Sequence, residues 1–270
     1  MVRVGRMKNW GIVVGLGIII SIIVISWLYK SSVRYNSVSN TKENSSEKYT
    51  AIIIEPRKLK VIKAVLLNYL QNLDSNWSII FFHGNNNKEY VERIIEKDLA
   101  KYRERITLKP LNRDNLDTNS YNGLMMSDEI LYQIPTEIFL VFQTDSLICE
   151  SDKHRINDFL KYDYVGAPWA WMDGGNGGLS LRRKSKMIEV IKNCPKNINE
   201  DQIFSRGCST VKVNNPSKDE AKNFAVETEY SSRSFGIHNA WRYLPKHNAD
   251  FEKRCKDYKQ IMSEQGVIDE

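Results

Sequence analysis

Four runs of strand-forming apolar residues alternate, between residues 49 and 145, with segments whose apolar residues recur three and four positions apart. The runs are "YTAIIIEP", "WSIIFFHG", "RITLKPL" and "EIFLVFQTD". Strands joined by helices in this way are typical of a mainly parallel sheet that is flanked by helices on both faces. The sequence therefore predicts an α/β fold for residues 49–270, in which the pattern is less regular after Asp145 but continues the same domain.

Residues 9–29, "NWGIVVGLGIIISIIVISWLY", carry no charge and consist mainly of Ile, Val, Leu and Gly. About 20 such residues are enough to cross a bilayer as a helix. A cleaved signal peptide is the alternative, but this run is long and no A-x-A-like site follows it. Three basic residues precede the run and two follow it closely, so the positive-inside rule favours a cytoplasmic N-terminus and a signal anchor.

We therefore expect a cytoplasmic tail at 1–8, a transmembrane signal anchor at 9–29, a flexible stem at 30–48 and one folded domain at 49–270. The stem is rich in Ser, Asn and charged residues and poor in apolar ones. In a single-pass type II membrane protein the domain would lie in the lumen of the Golgi or ER, or otherwise outside the cytoplasm. Disulfides can form there, but the spacing of the four cysteines leaves their pairing open.

The net charge of +6 does not indicate a nucleic-acid-binding protein. Seven basic and two acidic residues lie within 1–48, so most of the excess belongs to the predicted anchor and stem. The rest of the chain is close to neutral and has no basic stripe that would follow a phosphate backbone. No nucleic-acid partner is expected.

Asp145 ends the most apolar of the four runs, in the stretch "QTDS". An ionised carboxylate in such a place costs several kcal/mol unless it has a partner, and open α/β sheets bind ligands at the carboxyl ends of their strands. One carboxylate can hold Mn²⁺ or Mg²⁺ if phosphate oxygens and water complete the coordination. His238, in "FGIHNAW", follows the last predicted strand and lies between apolar and aromatic neighbours. A structural carboxylate and a structural histidine are the alternatives.

Two motifs follow in the second half of the chain. In "GNGGLSLR", we expect a glycine loop at Asn176, Gly177 and Gly178 that brings the backbone close to a ligand, with an ordinary turn as the alternative. In "NEDQIFS", Glu200 and Asp201 open a helix, where acidic residues are common for electrostatic reasons alone. The functional interpretation makes Asp201 a general base on an acceptor hydroxyl and Glu200 an orienting group, and the reverse assignment stays open.

The stretch "YDYVGAPWAWM" leads into the glycine motif and contains two tryptophans, Trp169 and Trp171. Aromatic faces stack on sugar rings, so both are candidates for contacts with a saccharide acceptor. Packing in the core is the alternative.

The stretches "LLNYL", "YNGLMMS", "FLVFQTDS", "YDYVGAPW", "GNGGLSLR", "NEDQIFS" and "FGIHNAW", in this order, resemble the domain-of-unknown-function family numbered 5672, which is similar to glycosyltransferases of the GT-A fold. The resemblance spans about residues 50–245 and implies a nucleotide-diphospho-sugar transferase fold. It places Gln143, Thr144 and Asp145 where GT-A enzymes carry a metal-binding D-x-D motif. It also implies that His238 completes the metal site, since GT-A enzymes commonly use a histidine near the C-terminus, and an N/O pair with Asp145 would suit Mn²⁺. Gln143 replaces the first acid of that motif, which leaves the metal with a single carboxylate from it.

The residues and the resemblance together predict a site in four parts. The expected nucleotide and donor contacts are Glu55, Arg57, Asn122, Gln143, Thr144 and Asp145. The expected metal ligands are Asp145 and His238, the sugar contacts Trp169, Trp171, Asn176, Gly177 and Gly178, and the catalytic acids Asp201 and Glu200.

The predicted function is that of a membrane-anchored glycosyltransferase. It would move a sugar from a nucleotide-sugar, with UDP favoured, to a hydroxyl of a glycan, lipid or protein, with metal assistance and inversion. One alternative is a non-catalytic, membrane-tethered module that binds a glycan or a nucleotide. Another is a nucleotidyltransferase, which would be expected to place more than one carboxylate at the metal.

Overall fold

The computed structural model of the protein describes residues 48–266. The predicted tail at 1–8, the predicted anchor at 9–29 and most of the predicted stem lie outside the described residues. Between residues 48 and 266, no helix is both long and apolar enough to cross a membrane.

A six-stranded sheet and a smaller three-stranded sheet form the centre of the domain. The strands are β1 (Tyr49–Glu55), β2 (Trp77–His83), β3 (Ile106–Pro110), β4 (Ile138–Phe142), β5 (Ser146–Ile148), β6 (Tyr164–Pro168), β7 (Gly175–Arg183), β8 (Ala225–Val226) and β9 (Gly236–His238). The large sheet has the order β3-β2-β1-β4-β7-β6, and the small sheet has the order β5-β9-β8.

The large sheet is mixed. Strands β1 to β4 are mutually parallel, as predicted, whereas β7 runs antiparallel to both β4 and β6. The prediction of a mainly parallel sheet is therefore confirmed for the first four strands and wrong for β7, while β6, being antiparallel to β7, runs in the direction of β4. Only residues 169–174 separate β6 from β7, and a parallel connection needs a dozen residues or more.

Helices connect the strands and cover both faces of the large sheet. They are α1 (Ile62–Asn72), α2 (Lys88–Lys97), α3 (Thr118–Met125), α4 (Asp128–Leu131), α5 (Ile156–Phe159), α6 (Lys184–Asn193), α7 (Glu200–Arg206), α8 (Lys218–Ala221), α9 (Ala240–Tyr243), α10 (Asn248–Arg254) and α11 (Tyr258–Ser263). Short 3-10 segments lie at Ala100–Arg105, Glu150–Arg155 and Pro245–His247.

The two faces of the sheet bury separate apolar cores. In β1, Ala51 and Ile53 point into one core, and Ile52 and Ile54 point into the other. Successive residues of a strand point to opposite faces. This explains why β1 and β4 are apolar at nearly every position.

Three segments differ from the sequence-based expectation. The glycine motif forms the first half of the nine-residue strand β7, with an irregularity opposite Gly166 and Ala167, and is not a loop. The stretch "YNGLMMSDEILYQI" forms two helices, because Ser127 accepts a hydrogen bond from the backbone N–H of Glu129 and starts α4. The predicted late strand in "AKNFAVET" is reduced to the two residues of β8.

The cysteines form two disulfides, Cys149–Cys255 and Cys194–Cys208. The first joins positions 106 residues apart and ties the segment after β5 to the end of α10. A cross-link over a long loop reduces the entropy of the unfolded chain. The C-terminal helices are therefore held covalently to the part of the domain that follows β4.

Candidate functional site

A cavity of about 590 Å³ opens at the carboxyl ends of β1 and β4. Five of the residues predicted to bind the nucleotide line it: Glu55, Arg57, Gln143, Thr144 and Asp145. Parallel strands end at the same edge of a sheet, so these residues meet although about 90 positions separate them in the chain. The volume is within the range of sites that bind small molecules and cofactors.

Glu55 and Arg57 form a fixed pair at one side of this cavity. The Nε and Nη2 atoms of Arg57 each donate to the carboxylate of Glu55 over 2.8 Å, and the backbone N–H of Arg57 donates over 3.0 Å. The hydrogen bonds that Arg57 donates to the Glu55 side chain raise the pKa of Arg57. Because Glu55 is buried and Arg57 is half exposed, the guanidinium is the part of the pair that a ligand can reach.

Asn122 lies apart from the other predicted nucleotide contacts. Its Oδ1 atom accepts a hydrogen bond from the backbone N–H of Glu200 over 2.9 Å, and its Nδ2 atom donates to Asn199 over 3.2 Å. Within the described part of the chain, it is not among the residues that line the 590 Å³ cavity. Asn122 therefore supports the first turn of α7, beside the two acidic residues.

Asp145 and His238 are brought together by the small sheet, in which Ser146 of β5 pairs with His238 of β9. The Nε2 atom of His238 lies 3.3 Å from Oδ1 of Asp145 and 3.3 Å from Oε1 of Gln143. Its Nδ1 atom lies 3.2 Å from Oε1 of Glu227, although the two are not aligned as a hydrogen bond. The imidazole is thus enclosed by two carboxylates and one amide oxygen.

The charges of this cluster are strongly coupled. Burial acts to lower the pKa of His238, but Asp145 and then Glu227 outweigh it and raise the pKa to about 10. Burial acts to raise the pKa of Asp145, but His238 outweighs it and holds the pKa below its usual value. In the absence of a cation, a protonated His238 balances the charge of Asp145, which is the structural interpretation of both residues.

Nε2 of His238, Oδ1 of Asp145 and Oε1 of Gln143 also fit the first coordination sphere of a divalent cation. Neighbouring ligands at Mg²⁺-like bond lengths lie about 3 Å apart, close to the separations of Nε2 of His238 from the oxygens of Asp145 and Gln143. Glu227 stands at Nδ1, where metal-binding histidines have an orienting carboxylate. Residues 48–266 contain no group of three or more His, Cys, Asp or Glu residues that could hold a metal, so further ligands would have to come from a bound molecule or water.

Gly177 and Gly178 make room for two separate centres. A Cβ atom on Gly178 would lie 2.1 Å from Nε2 of His238, and one on Gly177 would lie 2.5 Å from Oε1 of Glu200. Real Cβ atoms essentially never approach so closely, so any other residue would displace one of these side chains. His238 and the acidic residues can therefore lie beside adjacent positions of β7 only because both positions are glycine.

Glu200 is fully engaged by a buried arginine. The Nη1 and Nη2 atoms of Arg182 donate to the two carboxylate oxygens of Glu200 over 2.7 and 3.1 Å. Arg182 is completely buried, with its guanidinium 5.3 Å from the ring centres of both Tyr164 and Phe204. Such bidentate pairs are strong and directional. Both carboxylate oxygens of Glu200 are therefore held in place by Arg182.

Asp201 has a different environment from its neighbour. Its Oδ2 atom accepts the backbone N–H of Gly177 over 3.3 Å, while its Oδ1 atom is buried and has no hydrogen-bond partner among residues 48–266. Burial and then the charge of Glu200 raise the pKa of Asp201 to about 6. A carboxylate with a pKa near neutrality is suited to general base catalysis.

The remaining predicted sugar contacts are divided between the core and the surface. Trp169 is only 6% exposed, whereas Trp171 is 67% exposed. Asn176 accepts the backbone N–H of Gly178 over 2.7 Å and donates to Glu227 over 3.2 Å. Trp169 therefore packs in the interior, Trp171 is free to contact a ligand, and Asn176 shapes the glycine segment.

Several residues of the site were not predicted from the sequence. Arg182 and Glu227 are buried next to the acidic pair and the histidine, and Trp241 and Arg242 line the 590 Å³ cavity. The signal for Arg182 is an arginine within an apolar strand, in "GLSLRR". Trp241 and Arg242 follow His238 by three and four residues in "HNAWR", so their proximity in sequence was an available signal.

Three solved structures show the range of similarity to known proteins. TarS of S. aureus in complex with UDP matches 59% of this chain and 54% of its own, at 13% identity and a TM-score of 0.41. The mannosyltransferase PcManGT from Pyrobaculum calidifontis in complex with GDP-Man and Mn²⁺ matches 81% and 69%, at 13% identity and 0.48. The glycosyltransferase GlyE of Streptococcus pneumoniae TIGR4 matches 80% and 62%, at 10% identity and 0.48.

The match to TarS thus spans about half the length of that chain. No curated protein matches the chain in sequence. Residues 105–238 match the family described as "Protein of unknown function (DUF5672)", which confirms the resemblance that the motifs predicted.

Proposed function

We propose that the domain is a glycosyltransferase that moves a sugar from a nucleotide-sugar to a hydroxyl acceptor. The observation that carries this proposal is the position of Asp201 relative to the cluster of Asp145, His238 and Gln143. Asp201 contacts Gly177, and His238 contacts the adjacent Gly178. The proposed general base and the proposed site of the charged leaving group therefore lie beside adjacent residues of β7. A displacement at a sugar carbon requires such proximity.

The 590 Å³ cavity would bind the nucleotide. Its rim carries Arg57 and Arg242. Among the described residues, the side chain of Arg242 forms no ion pair and no hydrogen bond. Guanidinium groups bind phosphate oxygens in a bidentate manner. Asp145, His238 and the amide oxygen of Gln143 would hold Mn²⁺ or Mg²⁺ at the diphosphate. Such a cation neutralises charge on the departing nucleoside diphosphate.

Asp201 would accept the proton of the acceptor hydroxyl. Glu200 and Arg182 would act through Asp201, because their buried pair fixes the first turn of α7 and the charge of Glu200 helps to raise the pKa of the base. Direct attack by an acceptor that Asp201 activates gives inversion at the sugar carbon. We propose an inverting reaction for this reason, with a UDP-sugar as the donor.

We also propose that the domain is tethered by the apolar segment at 9–29 and faces a lumen or another extracytoplasmic space. The pairing of all four cysteines supports this, because disulfides persist in oxidising compartments. The acceptor would then be a glycan, lipid or protein that reaches the same space.

A non-catalytic binding module is a second candidate, and two observations favour it. Gln143 replaces an acid, and Asp145 and His238 already balance each other as an ion pair without a metal. A module of this kind would bind a nucleotide or a glycan in the same cavity, but it would transfer no sugar and release no nucleotide from a nucleotide-sugar.

Turnover separates the two candidates. The full-length chain is incubated with UDP-sugars and GDP-sugars, and free nucleotide is measured with and without Mn²⁺. We expect metal-dependent nucleotide release with a UDP-sugar, and a loss of about a hundredfold or more in Asp201→Asn. Nucleotide binding without release from any donor, in the presence of saccharide, lipid and peptide acceptors, would favour the binding module.

A further inference from the structure

Tyr121 lies between the two parts of the proposed site. It lines the 590 Å³ cavity together with Gln143, and its ring is partly buried against the apolar core on that face of the sheet. Its hydroxyl group lies close enough to Glu200 and Asp201 to interact with both charges, and its side chain forms a hydrogen bond with Gln143. Tyr121 therefore connects the acidic residues of α7 to the cluster that contains Gln143.

The helix α3 holds Tyr121 in this position. The side chain of Asp117 caps the start of the helix, because it accepts the backbone N–H of Ser120 over 2.7 Å. Asn122, the residue after Tyr121, accepts the backbone N–H of Glu200 over 2.9 Å. The helix is thus fixed at its N-terminus and against α7, so the tyrosine has a defined place in the wall of the cavity.

Ser146 fixes the backbone of Gln143 but not its side chain. The backbone N–H of Gln143 donates to Oγ of Ser146 over 3.2 Å, and Oγ of Ser146 donates to the C=O of Gln143 over 2.7 Å. The side-chain Oε1 faces Nε2 of His238 at 3.3 Å. A rotation of the amide by half a turn would replace this oxygen by an NH₂ group, which only donates. The orientation of the amide therefore decides whether Gln143 can be a ligand of a cation.

The hydrogen bond between Tyr121 and Gln143 has a direction. Burial and then the charge of Glu200 raise the pKa of Tyr121, and the hydrogen bond with Gln143 acts against them. A hydrogen bond lowers the pKa of a phenol when the phenol oxygen accepts it, because the phenolate is then stabilised. Since Oε1 of Gln143 faces His238, the NH₂ group is the end of the amide that donates to Tyr121. This bond selects the orientation in which Oε1 points towards His238.

We propose that Tyr121 is a positioning residue that keeps Oε1 of Gln143 directed at the cation site, an inference that rests on the proposed function. A glutamine can serve both groups at once, since its NH₂ group donates to the phenol oxygen while its carbonyl oxygen binds the cation. A carboxylate at position 143 would have two acceptor oxygens and would need no such partner. The tyrosine has this role because residue 143 is an amide.

The first test removes only the hydroxyl group. In Tyr121→Phe the ring and its packing remain, and the affinity of the full-length chain for Mn²⁺ is measured with UDP present, by electron paramagnetic resonance of free Mn²⁺. We expect this affinity to fall about tenfold, as it does when a group that orients a metal ligand is lost. UDP binding without Mn²⁺ should be unchanged, because the cavity keeps its shape. Tyr132→Phe, which alters an exposed tyrosine, is the control.

A second variant separates positioning from a general structural role. Gln143→Glu supplies two equivalent oxygens, so the orientation of the group no longer matters. Tyr121→Phe should therefore change the Mn²⁺ affinity of Gln143→Glu by less than about twofold, and the two changes should be non-additive. If Tyr121 only supported the wall of the cavity, its hydroxyl group would be equally important in both backgrounds.

The outcomes distinguish this inference from the proposed function. Equal Mn²⁺ affinities of the wild type and Tyr121→Phe, or an equal loss in both backgrounds, overturn the role of Tyr121 and leave the proposed glycosyltransferase standing. A wild-type chain that binds UDP but no Mn²⁺ overturns the metal site, and the role of Tyr121 with it.

Discussion

The Nε2 atom of His238 occupies the space in which a side chain at Gly178 would begin, 2.1 Å from the position of its Cβ atom. The histidine can face Asp145 and Gln143 only because this residue is glycine. The strand β7 thereby determines the geometry of a cluster to which it contributes no side chain.

Gly178→Ala is expected to displace His238 and to abolish metal-dependent nucleotide binding while the domain still folds. Binding is measured by calorimetric titration of UDP with Mn²⁺, and folding by thermal melting. Gly123→Ala is the matched control, because a Cβ atom there meets nothing within 4 Å among the described residues. In α3 this change should stabilise the protein by about 0.5–1 kcal/mol. Equal UDP binding by the two variants would contradict the role given to Gly178.

Asp201 should set the acidic limb of the pH profile. Catalysis needs the ionised form, and the pKa is raised to about 6, so kcat/KM should fall about tenfold per pH unit below pH 6 and level off above it. Initial rates of nucleotide release between pH 4.5 and 8.5 provide the measurement. A profile that stays flat down to pH 4.5 would exclude Asp201 as the base.

The raised pKa of Asp201 also makes the free energy of unfolding depend on pH. Because the folded state binds this proton more tightly than the unfolded state, the stabilisation from Asp201 is present below about pH 4 and is lost as the pH rises through about 6. Asp201→Asn should therefore have a higher free energy of unfolding than the wild type at pH 8, and this advantage should shrink at pH 4. Urea denaturation at both pH values tests this, and an equal difference at both would refute it.

Glu200→Gln should destabilise the fold by about 3 kcal/mol or more, because it leaves the buried charge of Arg182 without a counter-charge. The double variant Glu200→Gln with Arg182→Met should be more stable than the sum of the single changes predicts. Urea denaturation of the three variants measures this coupling. Additive losses would mean that the pair does not act as a unit.

Glu227→Gln should lower the affinity for Mn²⁺ about 10-fold to 100-fold, because the carboxylate at Nδ1 orients the ring of His238. Electron paramagnetic resonance of free Mn²⁺, with UDP present, reports the affinity without turnover. Glu229→Gln, two residues further on and on the surface, is the control. If both variants bind Mn²⁺ equally, Glu227 has no part in holding a metal.

The sequence predicted the elements of the fold better than their directions. The apolar runs identified β1 to β4, because a strand covered on both faces is apolar throughout. The glycine segment was predicted as a loop, because glycine has a low intrinsic preference for strands. Its pairing with both β4 and β6 overrides that preference, and such long-range pairing leaves no local signature.

The site was predictable where chemistry and chain position coincide. Asp145 follows the most apolar predicted strand and His238 follows the last one, and the resemblance implied that they lie together, whereas the pairing of β5 with β9 that joins them was not predicted. The partners of Glu200 and His238 were not predictable, because Arg182 and Glu227 resemble exposed charged residues in sequence. Only the packing of β7 against α7 and of β8 against β9 makes them buried partners.

The most direct test of the account is the calorimetric titration of UDP into the wild type, Asp145→Asn and His238→Ala, each with and without Mn²⁺. We predict that Mn²⁺ tightens UDP binding by the wild type, that Asp145→Asn loses this effect and that His238→Ala loses part of it. The two losses should not add in the double variant, since both residues act on one ion. Metal-dependent binding that is unchanged in both single variants would contradict the metal site, and with it the mechanism proposed for sugar transfer.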